Sequence, residues 1–227
     1  TAVLGLIAML SLWLALPAGE AGRRPNVRHE LAVLKSPAVL LALLTTVLGA
    51  GAMFTLYTYI APTLAEITGA SPAFVTGMLV LIGLGFTLGN GVGGRMADRS
   101  LDGTLIFFLV LVIADLLAFP WLASTPVGAA TSLLIFGVAT FAVVPPLQMR
   151  VMRAATDAPG LASSMNVGAF NLGNAVGAAA GGAVISAGLG YAAVPISGAV
   201  IATAGLALVL LQRASNVRRR KLAMQGC

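Results

Sequence analysis

Few side chains in this sequence could do chemistry, and most sit where chemistry is costly. Asp115, in LVIADLLAF, is the only ionisable residue in the middle of a long apolar run. A carboxylate there costs several kcal/mol unless it is protonated or paired, so Asp115 is a candidate proton carrier or a protonated acid bonded to a neighbouring helix. Gln148, Asn166 and Asn171 bring amides into apolar surroundings, where amides seek a partner helix or a wet cavity. Thr45, Ala52, Thr55 and Tyr59 fall near one face at 100° per residue. That face suits a moderately polar ligand, although threonine hydroxyls also bond back to their own helix and a terminal tyrosine suits a membrane interface. Arg95, Asp98 and Arg99 end the glycine-rich stretch LGNGVGGRMADRS. Arginines at a helix end can snorkel, and an acid beside the start of the next helix can cap it. Nothing resembles a catalytic constellation: there is no HExxH pair and no P-loop lysine motif, and the single cysteine, Cys227, is distant from the single histidine, His29. No metal site or cofactor is expected. Without a nucleotide site, any transport must draw on an ion gradient.

The elements that position these groups are membrane helices. Of the 227 residues 59% are hydrophobic and 9% charged, against about a quarter charged in soluble domains, and the mean hydropathy is +0.99. Hydrophobic segments occupy 1–16, 38–61, 72–94, 103–124, 127–149, 161–187 and 191–211, most of them near the ~20 residues a spanning helix needs. The net charge of +6 would suggest nucleic acid in a soluble protein, but its distribution excludes that partner. All 13 lysines and arginines fall in alternate connections, and those between carry one acid, Glu66, and no base. The positive-inside rule then places the basic connections in the cytoplasm, the N-terminus outside and the C-terminus inside.

Four regions follow: residues 1–16, the end of a membrane helix; 17–37, a cytoplasmic linker whose charges surround His29; 38–211, a six-helix bundle; and 212–227, a basic cytoplasmic tail in which NVRRRKL attracts anionic lipid headgroups. Residues 1–16 with LPAGEA also look like a signal peptide, but without the basic region that should come first. The start at Thr1 points to a piece of a longer chain. Within the bundle, two triplets of helices must run in opposite senses, an inverted 3+3 repeat. Its middle helices carry matching glycines, Gly85, Gly89 and Gly93 in one and Gly173, Gly177 and Gly181 in the other. Such ridges let backbones approach closely, either as fixed packing or as surfaces on which bundles slide.

GGRMADR resembles the cytoplasmic loop signature of the major facilitator superfamily, GxxxDRxGRR, in its second-half copy. Gly94, Asp98 and Arg99 match, while Leu101 and Asp102 replace the expected Gly and Arg. The resemblance continues through TLYTYIAPTLAEITGAS, PPLQMRVMRAATDAPGLASSMNVGAFNLGNAVGAAAGG and GLGYAAVPISGA, which look like the drug and sugar proton antiporters of the twelve-helix branch. It implies the C-terminal six-helix half of such a bundle plus the end of the preceding helix, in the plasma or inner membrane. Its partners would be the lipid bilayer, a small-molecule substrate, a proton and the missing N-terminal half. The first helix of each triplet would line the central cavity, the second would contact the other half and the third would face lipid. The expected substrate pathway comprises Thr55, Tyr59, Gln148, Asn166 and Asn171. Arg95, Asp98 and Arg99 would form a gating loop, with Asp115 as the proton-coupling candidate. The rival expectation is a truncated, transport-inactive membrane protein with only an assembly role.

Overall fold

A computed structural model describes residues 2–15, 33 and 36–225; His29, most of the linker at 17–37 and Cys227 lie outside them. The described helices are α1 (Ala2–Ala15), α2 (Pro37–Thr58), α3 (Ile60–Ile67), α4 (Pro72–Arg99), α5 (Leu101–Leu122), α6 (Pro126–Ala142), α7 (Val144–Ala154), α8 (Pro159–Ser186) and α9 (Ala193–Gln225). Their starts follow from local chemistry. Ser36, Ser71 and Thr125 each accept a hydrogen bond from the backbone N–H three residues on, and a proline follows each cap. The cap satisfies an orphan N–H, and proline's missing donor costs nothing in the first turn. Ser100 caps α5 in the same way, through Gly103 N.

Five stretches among the described residues are long and apolar enough to cross a membrane: Pro37–Thr58, Pro72–Arg99, Leu101–Leu122, Pro126–Ala154 and Ala193–Ser215. At 28 residues α8 is equally long, but its glycines, serines and asparagines dilute its hydropathy, so it is not among the five.

Among the described residues two helices are interrupted. The break between α2 and α3 falls at Tyr59, before Pro62, and that between α6 and α7 at Val143, before Pro145 and Pro146. These prolines cannot donate to the carbonyls of Thr58, Phe141 and Ala142, and their rings crowd the preceding turn.

The repeat is visible in the packing. The most extensive helix contacts are α2 with α8 and α4 with α6, so the middle helix of each triplet lies against the first helix of the other. The glycines explain why. A β-carbon on Gly89 would strike the carbonyl oxygen of Val138, and one on Gly93 that of Ala142; on Gly177 it would strike the carbonyl oxygen of Gly51. At Gly85 it would stand 3.0 Å from the carbonyl oxygen of Leu134, and at Gly181 3.2 Å from that of Thr55. Leu134, Val138 and Ala142 thus serve one ridge as Val47, Gly51 and Thr55 serve the other, in the same four-residue register. Both ridges are spent on contacts within the bundle, which answers to fixed packing rather than to sliding surfaces. Behind these crossed pairs, α5 and α9 pack on each other, and the core fills with Leu56, Leu109, Leu116, Phe119, Leu133 and Phe136.

Two boundaries differ from the sequence reading. The segment GGRMADR is helical: α4 runs through Arg99, leaving Ser100 as the connection to α5. A gating loop of Arg95, Asp98 and Arg99 is therefore corrected to the last turns of a helix, because Ser100 takes the cap that the sequence offered to Asp98. The tail at 212–227 is likewise no separate element through Gln225, since α9 continues into it without a break.

Candidate functional site

The interrupted helices α2 and α6–α7 share a half-exposed face with the glycine-ridged helices α4 and α8, and aromatic rings cross it in a continuous row. Phe170 of α8 meets Phe54 of α2 at 5.7 Å between centroids, and Phe54 meets Tyr57 at 5.9 Å. Tyr57 reaches Phe86 of α4 at 5.7 Å, and Phe86 stacks on Phe141 of α6 at 4.0 Å with 24° between planes. All five rings are partly buried, with their inner sides packed on the core. The row lies at mid-depth, because Phe86 and Phe170 are each near the centre of a 28-residue helix.

Nearer the basic ends of the helices, hydrogen bonds tie α2, α7 and α8 together. The Thr46 hydroxyl donates to Asn166 Oδ1 at 2.7 Å, Asn166 Nδ2 donates to Gln148 Oε1, and Gln148 Nε2 donates to Ser163 Oγ at 2.9 Å. Gln148 reaches this chain because it stands in the first turns of α7, just past Pro146. The structure thus brings two of the expected pathway residues, Gln148 and Asn166, into one cluster.

The other expected residues lie elsewhere. Thr55 is fully buried and bonds back to Gly51 O at 2.8 Å, so it lines no open space. Its whole expected face, from Thr45 to Tyr59, turns toward neighbouring helices. The Tyr59 ring lies against Gly181 and Gly182, and its hydroxyl donates to Ala178 O at 2.9 Å, fastening α2 to α8. Asn171 is exposed on the side of α8 opposite the glycine ridge. Asp115 is buried between α5 and α6, where it accepts a hydrogen bond from Ser132 at 2.7 Å. Arg95, Asp98 and Arg99 are exposed at the end of α4.

At the basic end, a cavity of about 1010 Å³ opens between α2, α5, α7 and α9, with Asp102, Arg150, Arg153, Gln212 and Arg213 in its wall. Arg150 donates to Asp102 Oδ1 at 3.0 Å and, through its other terminal nitrogen, to Gln212 Oε1. The ion pair links the first turn of α5 to α7, and the amide ties both to α9.

Among the described residues no group of three or more His, Cys, Asp or Glu side chains could hold a metal. The four helices around the aromatic row carry no charge from Pro37 to Thr58, Pro72 to Gly94, Pro126 to Met149 or Pro159 to Ser186. The arrangement can bind and release, with few polar groups in a mostly apolar lining. The sequence reading missed the rings; the available signal was a phenylalanine beside a ridge glycine, as at Gly85–Phe86.

Residues 1–164 match the family profile described as Major Facilitator Superfamily. The chain is 66% identical over 211 residues to the inner membrane transport protein YdhP of Escherichia coli (strain K12), covering 93% of this chain and 54% of that protein. It is 36% identical over 194 residues to the chloramphenicol resistance protein of Streptomyces lividans, covering 84% of this chain and 48% of the relative. With a probable sugar efflux transporter of Helicobacter pylori (strain ATCC 700392 / 26695) the identity is 30% over 187 residues, or 82% and 48% of the two chains. The chain spans about half the length of the curated relatives it matches.

Proposed function

Because the chain belongs to the major facilitator superfamily, a family of multi-pass membrane transporters and not of enzymes, we propose that it is the C-terminal half of a secondary active exporter of small molecules. The observation that carries this reading is the repeat itself: α2 and α6, equivalent in it, each pack on a glycine ridge of the other triplet and each bring a phenylalanine, Phe54 or Phe141, to one mid-depth face. Such folds place substrate near the midplane at the interface between repeats, and rocking about that surface gives alternating access. The exposed apolar residues of α4 and α8, such as Leu84, Leu88, Leu172 and Val176, then receive the other half of the transporter. Relatives named for chloramphenicol resistance and for sugar efflux support export as the direction of transport.

The coupling ion in this reading is a proton. Asp115 is the only buried carboxyl among the described residues, yet its place between α5 and α6 fits a packing role better than a shuttle. Asp115→Asn keeps an acceptor for Ser132, so proton-driven efflux and its pH dependence should stay at wild-type levels. Loss of coupling with normal membrane levels would return the shuttle role to Asp115.

The basic ends of the helices face the cytoplasm, as the positive-inside rule requires. Single cysteines at 17–37, 95–102 and 150–158 of the full-length protein should therefore resist an impermeant thiol reagent in intact cells and react after permeabilisation. Labelling from outside at any of the three would invert the orientation. The test of the function itself is efflux from energised vesicles containing the full-length protein, abolished by a protonophore; efflux that survives collapse of the proton gradient would rule out proton coupling.

A further inference from the structure

We propose that Phe170, Phe54, Tyr57, Phe86 and Phe141 form the floor of the substrate site, and that the substrate class is an uncharged, planar aromatic molecule held by stacking. The proposal rests on the reading of this chain as half of a transporter and names what that site takes.

Continuity is the first support. The five rings join α8, α2, α4 and α6, with every neighbouring pair between 4.0 and 5.9 Å apart. Aromatic rings attract one another in offset-stacked or edge-to-face arrangements at these spacings, so a ligand ring can extend the row from its open side.

The internal repeat is the second support. Phe54 lies one residue before Thr55, which faces Gly181, and Phe141 lies one residue before Ala142, which faces Gly93. The two phenylalanines are therefore equivalent, and each packs on a phenylalanine of a ridged helix, Phe170 and Phe86 respectively. Tyr57 joins the two pairs across the repeat boundary. The glycine ridges make this possible, since they bring the helix axes close enough for rings beside them to touch.

The surroundings select among ligands. No charged side chain occurs on the four helices at this depth, so an ionic substrate would lose its hydration without gaining a counter-charge. Gln148 and Asn166 bond each other, Ser163 and Thr46, which leaves Asn90, one turn from Phe86, and Asn174, one turn from Phe170, as the few amides beside the row. A polyol needs many free donors and acceptors, whereas a planar arene needs the ring faces.

The experiment is equilibrium binding to the full-length protein in lipid nanodiscs, with no gradient applied. The probes are 2-naphthol, a naphthalene bearing a trimethylammonium group, and glucose. Saturable binding is expected for 2-naphthol, with at least tenfold weaker binding of the cation and none of glucose. Phe86→Leu and Phe141→Leu should each weaken 2-naphthol about tenfold, while Phe86→Tyr and Phe141→Tyr retain it. Thermal unfolding of each variant identifies any that fail to fold. Three results would each overturn the proposal: no saturable 2-naphthol binding by the wild type, equal binding by folded leucine and wild-type proteins, or preference for the cation or glucose. Gradient-driven efflux from proteoliposomes separates the two readings. Ring-dependent binding without efflux of any probe keeps the aromatic site and discards the transporter, whereas glucose efflux indifferent to both leucine variants keeps the transporter and discards the site.

Discussion

Gly89→Ala is expected to destabilise the bundle by about 1–3 kcal/mol, the cost of forcing a methyl group into packed surroundings. Its β-carbon would meet the Val138 carbonyl oxygen and stand 3.0 Å from Val138 Cα. These are backbone atoms, so no side chain can rotate away and α4 and α6 must separate. The same substitution at Gly83 meets nothing within 4 Å and is expected to be neutral or to stabilise by less than about 1 kcal/mol through helix propensity. The second ridge provides an independent pair. A β-carbon at Gly177 meets the Gly51 carbonyl oxygen and lies 2.9 Å from Thr55 N, whereas one at Gly168 meets nothing within 4 Å. Thermal unfolding of the four purified full-length variants in one detergent measures the contrast. Equal midpoints within a pair would mean that the close approach of the ridges contributes nothing. In lipid, where apolar surfaces gain little by leaving a solvent as oily as themselves, such contacts are a principal source of helix–helix affinity.

The ridges could be read from the sequence because their four-residue spacing is a local pattern. So could the spanning runs and the charge-sorted connections, which depend only on segment length and composition. The interruption at Val143 was half legible, since Pro145 and Pro146 announce a bend; the one at Tyr59 depends on Pro62, whose effect on Thr58 is equally local but less conspicuous. Facing was not legible. In a soluble helix the polar stripe marks the outside, but both sides of a membrane helix are apolar, so Thr45, Ala52, Thr55 and Tyr59 looked like a lining and proved to be a packing face. The cluster around Gln148 depends on partners far apart in the chain: Thr46 and Asn166 are 120 residues from each other, and only the crossing of α2 with α8 brings them together. The aromatic row is of the same kind. No window of sequence contains both Phe54 and Phe170, and their meeting is a consequence of the repeat rather than of either helix.

The charges at the basic end show how a departure from a familiar pattern can be informative. GGRMADRSLD draws attention to Asp98, which matches the family signature, and away from Asp102, which replaces an expected arginine. The structure reverses that emphasis. Asp98 is exposed at the end of α4, while Asp102 stands in the first turn of α5, where the helix dipole favours a negative charge. Asp102 accepts the hydrogen bond of Arg150, whose side chain is only 11% exposed and which also binds Gln212. Hydrogen bonds to charged groups contribute about 1.5–3 kcal/mol, so Arg150→Ala should destabilise the full-length protein by an amount in that range. Asp102→Arg should cost more, because it sets two guanidinium groups side by side and places a positive charge at the positive end of α5. Exchanging the pair, as Asp102→Arg with Arg150→Asp, restores the attraction but leaves the dipole term unfavourable, so it should recover only part of the loss. Asp98→Asn should remain within about 0.5 kcal/mol of wild type, as for other exposed substitutions. Unfolding midpoints across a range of salt concentrations check all four. If Asp98→Asn proved the more damaging of the two acid replacements, the attachment of α5 to α7 and α9 would have to be sought at Asp98 after all.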